Sequence, residues 1–424
     1  MSEGSMQTGN PPAGRLVTAD GVPLKLALAR AQRRARLRAF LLVAPLLLFI
    51  LITFAVPIGQ MLLRSVHNVG FSANMTQITA WFDSHPAGTE PDEAAWAALA
   101  ADLRDSAAAR SIGVVGTRVN YEYSGARSLF TATGRKAAGL EPPFAESLPE
   151  ADAKWSDPAL WAAMRTASRS WSPDFYIAAL DHTRDETGAI VPAPRDRQVY
   201  LMLFMRTFVM SVGITLICLV LGFPVAHLLA TLPLRQSNLL MILVLLPFWT
   251  SLLVRTTAWI AILQGQGVIN SALVALGIVG DNARLEMIYN RTGTIIAMVH
   301  ILLPFVILPL YSVMRSINPS YARAARSLGA TSWTTFRRIY LPQTLPGMGA
   351  GAMLVFILAV GYYITPALVG GASGQLISNM IAFHMQNSLN WSLAAALATL
   401  LLVAVLVLYW LYDRLVGVDN MKLG

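Results

Sequence analysis

Asn318-Pro-Ser-Tyr-Ala-Arg-Ala-Ala-Arg-Ser-Leu-Gly329, continuing Ala-Thr-Ser-Trp-Thr-Thr-Phe-Arg-Arg-Ile-Tyr-Leu-Pro342, separates two long apolar runs. Asn318 suits a helix N-cap, Pro319 the first helical position and Gly329 the left-handed position that ends a helix, so a short helix is predicted over 319–328. Ser332 can cap a second helix, and Pro342 is expected to stop it. Trp333, Phe336 and Tyr340 then share one face, flanked by Arg337 and Arg338. Two short helices cannot span a bilayer. They form either a knob for a partner protein or an amphipathic hairpin resting on anionic headgroups, and the local chemistry leaves both open.

The flanking sequence supplies the membrane. Hydrophobic residues make up 55% of the 424 and charged residues only 13%. A helix rises 1.5 Å per residue, so about 20 apolar residues cross the hydrocarbon core. Six segments qualify, at about 39–63, 207–231, 238–263, 292–316, 347–368 and 391–413, which predicts an all-α integral membrane protein with six transmembrane helices. Pro45, Pro57, Pro247, Pro304, Pro309 and Pro366 interrupt them; such breaks are tolerated where neighbours satisfy the freed carbonyls, and they often line a path. The first apolar run is longer than a signal-peptide core and follows a long polar tail, so it is read as a retained span. The lone cysteine, Cys218, excludes an internal disulfide and a Cys-based metal site, and inside an apolar run it acts as a small hydrophobe.

Charge placement sets the expected direction. Lys25, Arg30, Arg33, Arg34, Arg36 and Arg38 precede the first span, which puts the N-terminus in the cytoplasm by the positive-inside rule. Alternation then places Arg235, the 317–346 loop with Arg323, Arg326, Arg337 and Arg338, and the C-terminal tail with Arg414 and Lys422 on the same side. Arg64, Arg206 and Arg291 fall at outer ends, where they are expected to snorkel to headgroups. The net charge of +9 belongs to this pattern rather than to nucleic-acid binding. Residues 66–200 are the exception, with 17 Asp/Glu against 12 Lys/Arg. They read as a small extracytoplasmic α/β insertion between spans one and two. Helices are expected over 94–103, after Thr89, and 159–167, after Ser156. Strands are expected within Ile112–Tyr123, and Trp81, Trp96, Trp155, Trp161 and Trp171 are core candidates. The organisation is a cytoplasmic tail 1–38, a first span 39–63, an insertion 64–203, a membrane core 204–413 enclosing the 317–346 loop, and a cytoplasmic tail 414–424.

The loop resembles the EAA loop of binding-protein-dependent ABC importer permeases, whose pattern is Glu-Ala-Ala, three residues, Gly, nine residues, Ile, one residue, Leu-Pro. Arg323-Ala324-Ala325, Gly329, Ile339 and Leu341-Pro342 match in register, with Arg323 where the family has glutamate. Leu246-Pro-Phe-Trp-Thr-Ser-Leu-Leu-Val-Arg-Thr-Thr-Ala-Trp259, Gly267-Val-Ile-Asn270 and Gly361-Tyr-Tyr-Ile-Thr-Pro-Ala-Leu-Val-Gly-Gly371 look like the spermidine/putrescine branch, although Tyr362 stands where that branch often has glutamate. The resemblance covers about half the chain and leaves the insertion outside. It implies a MetI-like permease fold in the bacterial inner membrane. It also implies an ATP-driven cycle, in which two ATP-binding subunits supply ATP and Mg, and a periplasmic solute-binding protein delivers a polyamine or similar small amine. A second permease subunit is expected, a related but different chain ahead of a second copy of this one, with the homodimer as the alternative. Arg323, Ala324, Ala325, Ser327, Leu328, Gly329, Ala330, Trp333, Phe336, Ile339 and Pro342 become the residues that dock the ATP-binding subunit.

For the path through the membrane, Trp249, Arg255, Trp259, Tyr362, Tyr363, Thr365 and Pro366 are the candidates. Aromatic faces attract cations, and an intramembrane arginine usually faces a cavity or a partner. His227 and His300 are expected to be interhelical hydrogen-bond partners. No Asp or Glu falls well inside a span, which argues against a secondary transporter driven by protons or sodium. A channel, a secondary transporter, and an importer for amino-acid-like compounds or organic acids remain alternatives. The chain has no Gly-x-x-x-x-Gly-Lys-Ser/Thr phosphate loop and no metal or catalytic motif, so no cofactor, metal or enzymatic step is expected of it. The Asp181-His182 pair in the insertion reads as solvated surface.

Overall fold

Residues 24–185 and 188–416 are described by the computed structural model; the tail before residue 24 and the end of the chain with Lys422 lie outside the described residues. Among the described residues six segments have the length and apolarity to cross a bilayer: Ala31–Arg64, Tyr200–Thr231, Leu252–Ala275 (two helices, Leu252–Leu263 and Val268–Ala275, in succession), Arg291–Ser316, Ser332–Gly361 and Trp391–Arg414. The chain divides into two compact units, Met1–Leu63 and Arg64–Gly424. In the first, the helix Leu24–Ile50 continues through a π-turn at Leu51–Ala55 into Val56–Arg64.

In the second unit, span two (Tyr200–Thr231), span four (Arg291–Ser316) and span five (Ser332–Gly361) form the central bundle. Their shared core includes Ile214, Cys218, Met298, Leu302, Val306 and Val355. Small residues let the backbones approach: a Cβ at Gly351 would stand 3.2 Å from the Val306 carbonyl oxygen, and one at Gly222 3.1 Å from the Val306 side chain. Polar side chains tie the helices where lipid offers no partner. Ser237 Oγ donates to the Leu229 carbonyl (2.8 Å), and Arg315 to the Ala230 carbonyl (2.8 Å).

Two expected spans differ in outline. The run at 238–263 is two helices, Leu234–Trp249 and Leu252–Leu263, broken at Thr250–Ser251 three residues after Pro247. Span five begins far earlier than residue 347, because Pro342 does not stop the second loop helix. Ser332–Thr335 passes through a π-turn at Phe336–Tyr340 directly into Leu341–Gly361. A proline removes one backbone donor and crowds the carbonyl four residues earlier. For Pro342 that carbonyl belongs to Arg338, inside the wider π-turn, which keeps it clear of the ring. Pro57 stands in the same relation to Thr53 in the first unit.

The insertion is helical where strands were expected. Ile112–Asn120 is a helix, because Ile112, Val115 and Val119 recur at helical spacing and turn one face to the core; periodicity overrides the β-preference of the individual residues. The one sheet among the described residues is a small antiparallel hairpin, His182–Arg184 with Ile190–Pro192. Helices Glu93–Ala108 and Pro158–Ser168 match the two expected ones, but their caps are Asp92 and Asp157, which accept from Ala95 N and Ala159 N, not Thr89 and Ser156. Trp81, Trp96, Trp155 and Trp161 are buried. Trp171 is 62% exposed and lies tilted against His67, where residues 66–68 pair antiparallel with 170–172.

The insertion is bolted to the membrane core. Asp181, far from being solvated surface, is buried and accepts three backbone N–H groups at the start of span two: Val199 and Tyr200 at 3.0 Å, Leu201 at 2.8 Å. A carboxylate there satisfies the orphan donors of a helix start and opposes its dipole. Phe175 and Ala179 pack with Leu393 and Leu397 of span six (Trp391–Arg414), and Asn68 donates to Ser392 Oγ (3.0 Å).

Candidate functional site

The loop after span four is built as its residues dictate. Asn318 Oδ1 accepts Ser320 N–H (2.9 Å), with Pro319 at the first helical position. The helix Pro319–Ser327 ends in a complete Schellman closure: Gly329 N–H reaches Arg326 O (3.0 Å) and Ala330 N–H reaches Ala325 O (3.1 Å), with Gly329 at φ +84°. The next helix is capped by Thr331, whose Oγ1 accepts Thr334 N–H (3.2 Å), one residue before the expected Ser332.

What this loop leaves uncovered is unusual for polar connecting structure. Leu328 is 89% exposed and Trp333 68%, and Tyr321 is exposed beside them. Arg323, Arg326, Arg337 and Arg338 are exposed around these side chains, with no ion pair among the described residues. Ala324, Ser327, Gly329 and Pro342 are also exposed, whereas Ala325, Ala330, Phe336 and Ile339 are partly buried beneath them. A ladder of rings leads inward. Trp333 stacks on Phe336 and Phe336 on Tyr340, at 5.7 and 6.1 Å. Phe336 meets Phe223 of span two edge-on, and the Tyr340 hydroxyl lies 2.9 Å from His227 Nδ1. The helix that begins in the loop is therefore continuous with span five and is fastened to span two.

The candidate path residues divide. Arg255 and Trp259 lie on Leu252–Leu263, and Trp259 reaches His300 of span four. Trp259 Nε1 donates to His300 Nδ1 (3.1 Å), and the Arg255 guanidinium lies within electrostatic reach of both His300 and Tyr362. Arg255 also donates to Thr250 O (3.0 Å), closing the break after Trp249. Tyr362 and Tyr363 form a second break, at the end of span five. Their carbonyls accept from Ser378 Oγ (2.6 Å) and Asn379 Nδ2 (2.7 Å). Trp249 and Tyr363 are exposed, while Thr365 and Pro366 are buried. His227 and His300 are both interhelical partners, as their isolation on apolar helices implied.

Three features escaped the sequence reading. Asp181 is a helix anchor. Arg206 and Arg291 do not simply snorkel: Arg206 donates to the carbonyls of Ala372 (3.0 Å) and Gln375 (3.4 Å), and Arg291 to Ser373 (3.2 Å). The glycines after span five seat this loop. At Gly371, with φ +51°, a Cβ would stand 2.3 Å from Tyr289 O. Only the Gly-Gly dipeptide pointed there.

The profile of the family described as "Binding-protein-dependent transport system inner membrane component" matches residues 199–417, which begin where Asp181 caps span two and include the loop. The chain belongs to this family. It is a multi-pass inner-membrane permease component of an ABC importer, with the MetI-like fold, and the insertion lies outside the matched region. It is 37% identical over 222 residues to the spermidine/putrescine transport system permease protein PotB of Escherichia coli K12, covering 52% of this chain and 80% of that one. The protein of the same name from Haemophilus influenzae is 35% identical over 224 residues, 53% of this chain and 78% of the other. A crystal structure of a bacterial alginate ABC transporter, in complex with an alginate pentasaccharide-bound periplasmic protein, aligns with a TM-score of 0.44 at 18% identity, over 54% of this chain and 81% of that chain.

Proposed function

We propose that this permease component carries a polyamine or similar small amine inward, received from a periplasmic solute-binding protein and driven by two ATP-binding subunits that grip the 317–346 loop from the cytoplasm. A second, different permease subunit completes the path. The observation that carries the reading is the loop itself: a capped two-helix peg that exposes Leu328 and Trp333, whose second helix continues through the π-turn at Phe336–Tyr340 into span five. Closure of an ATP-binding pair on the peg would swing the helix as a lever. The Tyr362–Tyr363 break lies at the far end of that lever. ATP and Mg would be held by the partner subunits and not by this chain.

The cargo assignment is supported by the names of the PotB relatives and by the rings at the two breaks, Trp249 and Trp259 at one and Tyr362 and Tyr363 at the other. Arg255 would repel an ammonium group, and its guanidinium is already engaged with Thr250 O. We therefore assign it to bracing the break rather than to touching cargo.

Gly329→Val tests the peg. The space around Gly329 is open, so the cost is conformational strain at positive φ, about 1–2 kcal/mol. Recovery of the ATP-binding subunits with the purified permease is expected to fall several-fold while membrane insertion persists. Undiminished recovery would remove the loop from its assigned role.

A further inference from the structure

The insertion holds a cleft that the permease fold does not require. It has a volume of about 330 Å³ and lies between the helices Thr76–Ser84, Glu93–Ala108 and Pro158–Ser168. Four aromatic side chains wall it: Trp81, Phe82, Trp96 and Trp161. The rings are fixed. Trp96 meets Trp161 edge-on at 4.7 Å, Trp161 meets Phe82 at 6.2 Å, and Trp161 Nε1 donates to Trp155 O (2.8 Å). Cavities of this size and apolar lining suit small molecules, and locked walls bind without paying to order themselves.

Two charged groups line the cleft, and they differ in availability. Arg165 is engaged: Nη1 donates to Phe82 O (2.9 Å) and His85 O (2.6 Å), and its guanidinium lies 4.9 Å from the Phe82 ring centre. One face of the aromatic wall thus already holds a cation. Glu90 is exposed and has no hydrogen bond or ion pair among the described residues, whereas its neighbours Asp92 and Glu93 are spent on backbone N–H groups. A carboxylate ligand would have to compete with two carbonyls for Arg165 and would meet Glu90. An ammonium meets Glu90 and the rings of Trp96 and Trp161, which favour it, and the Arg165 guanidinium, which opposes it but is turned onto the carbonyls of Phe82 and His85.

We propose that this cleft is a second amine-binding site, taking an alkylammonium group between Trp96, Trp161 and Glu90, outside the membrane path. It deepens the amine reading of the cargo and rests on it: the insertion would concentrate or sense the same class of molecule that the spans carry. The test is calorimetric titration of the full-length permease, purified with the assembly it forms, using putrescine, with glutarate as the anionic control. Putrescine is expected to bind, Glu90→Gln to weaken it at least fivefold, and Trp96→Leu to abolish it, while glutarate gives no heat. Glu90 is exposed, so its variant keeps the fold even if Trp96→Leu does not. Equal putrescine affinity in wild type and Glu90→Gln, or glutarate binding lost on Arg165→Gln, would overturn the proposal. ATP-dependent putrescine uptake measured on the same variants separates the two readings. Uptake without cleft binding sinks the site and leaves the importer; cleft binding without uptake does the reverse.

Discussion

The insertion and the membrane core hold themselves together with side chains of opposite size. The insertion buries Trp155, Phe71, Phe130 and Trp161 around one centre, whereas the central spans meet at Gly222, Gly347, Gly351 and Ala359. Solvent explains the difference. Water drives large apolar side chains together, so a domain outside the bilayer gains most from aromatic burial. Lipid gives no such drive, and helices within it gain from close backbone approach and from hydrogen bonds that lipid cannot replace. The same chain therefore carries two stability regimes, joined at Asp181.

Trp155→Ala should separate them most sharply. The side chain is fully buried, its Nε1 donates to Thr133 Oγ1 (3.0 Å), and its ring meets Phe130 at 5.0 Å. Truncation is expected to cost the insertion about 3–5 kcal/mol. Limited proteolysis in denaturant should cut the insertion well before wild type while the spans stay in the membrane. Loss of the spans as well would show that the two regions fold as one unit. Asp181→Ala attacks the joint instead. It leaves three backbone N–H groups without their acceptor, at a cost of about 2–3 kcal/mol. Hydrogen exchange should quicken at residues 199–201 and leave the centre of span two protected. Unchanged exchange would mean that the anchor lies elsewhere.

The contrast also explains which parts could be read in advance. Apolar length gave the spans, and the caps at Asn318 and Gly329 gave the first loop helix, because these signals are local. Pro342 misled because its effect depends on whether the preceding turn is α or π, which a proline rule applied alone does not settle. Ile112–Asn120 is helical because its 3–4 apolar spacing outweighs the β-preference of its individual residues. Asp181, Arg206 and Arg291 could not be read: each acts on backbone groups that only folding brings near. Of the path candidates, Trp259 meets His300 and Arg255 braces the break at Thr250, whereas Thr365 and Pro366 are buried. The insertion's cleft is not legible in the sequence because its ring-bearing walls come from three separate helices that meet only on folding.

The central claim is that the peg at 318–342 is gripped by an ATP-binding subunit inside the cell. Cys218 is the only native cysteine and is fully buried, so Leu328→Cys in a Cys218→Ser background gives one accessible thiol at the most exposed apolar point of the peg. In intact cells it should resist a membrane-impermeant thiol reagent added from outside, and in membrane vesicles a short bifunctional cross-linker should join it to the ATP-binding subunit. Labelling from outside, with no cross-link to that subunit, would contradict the account.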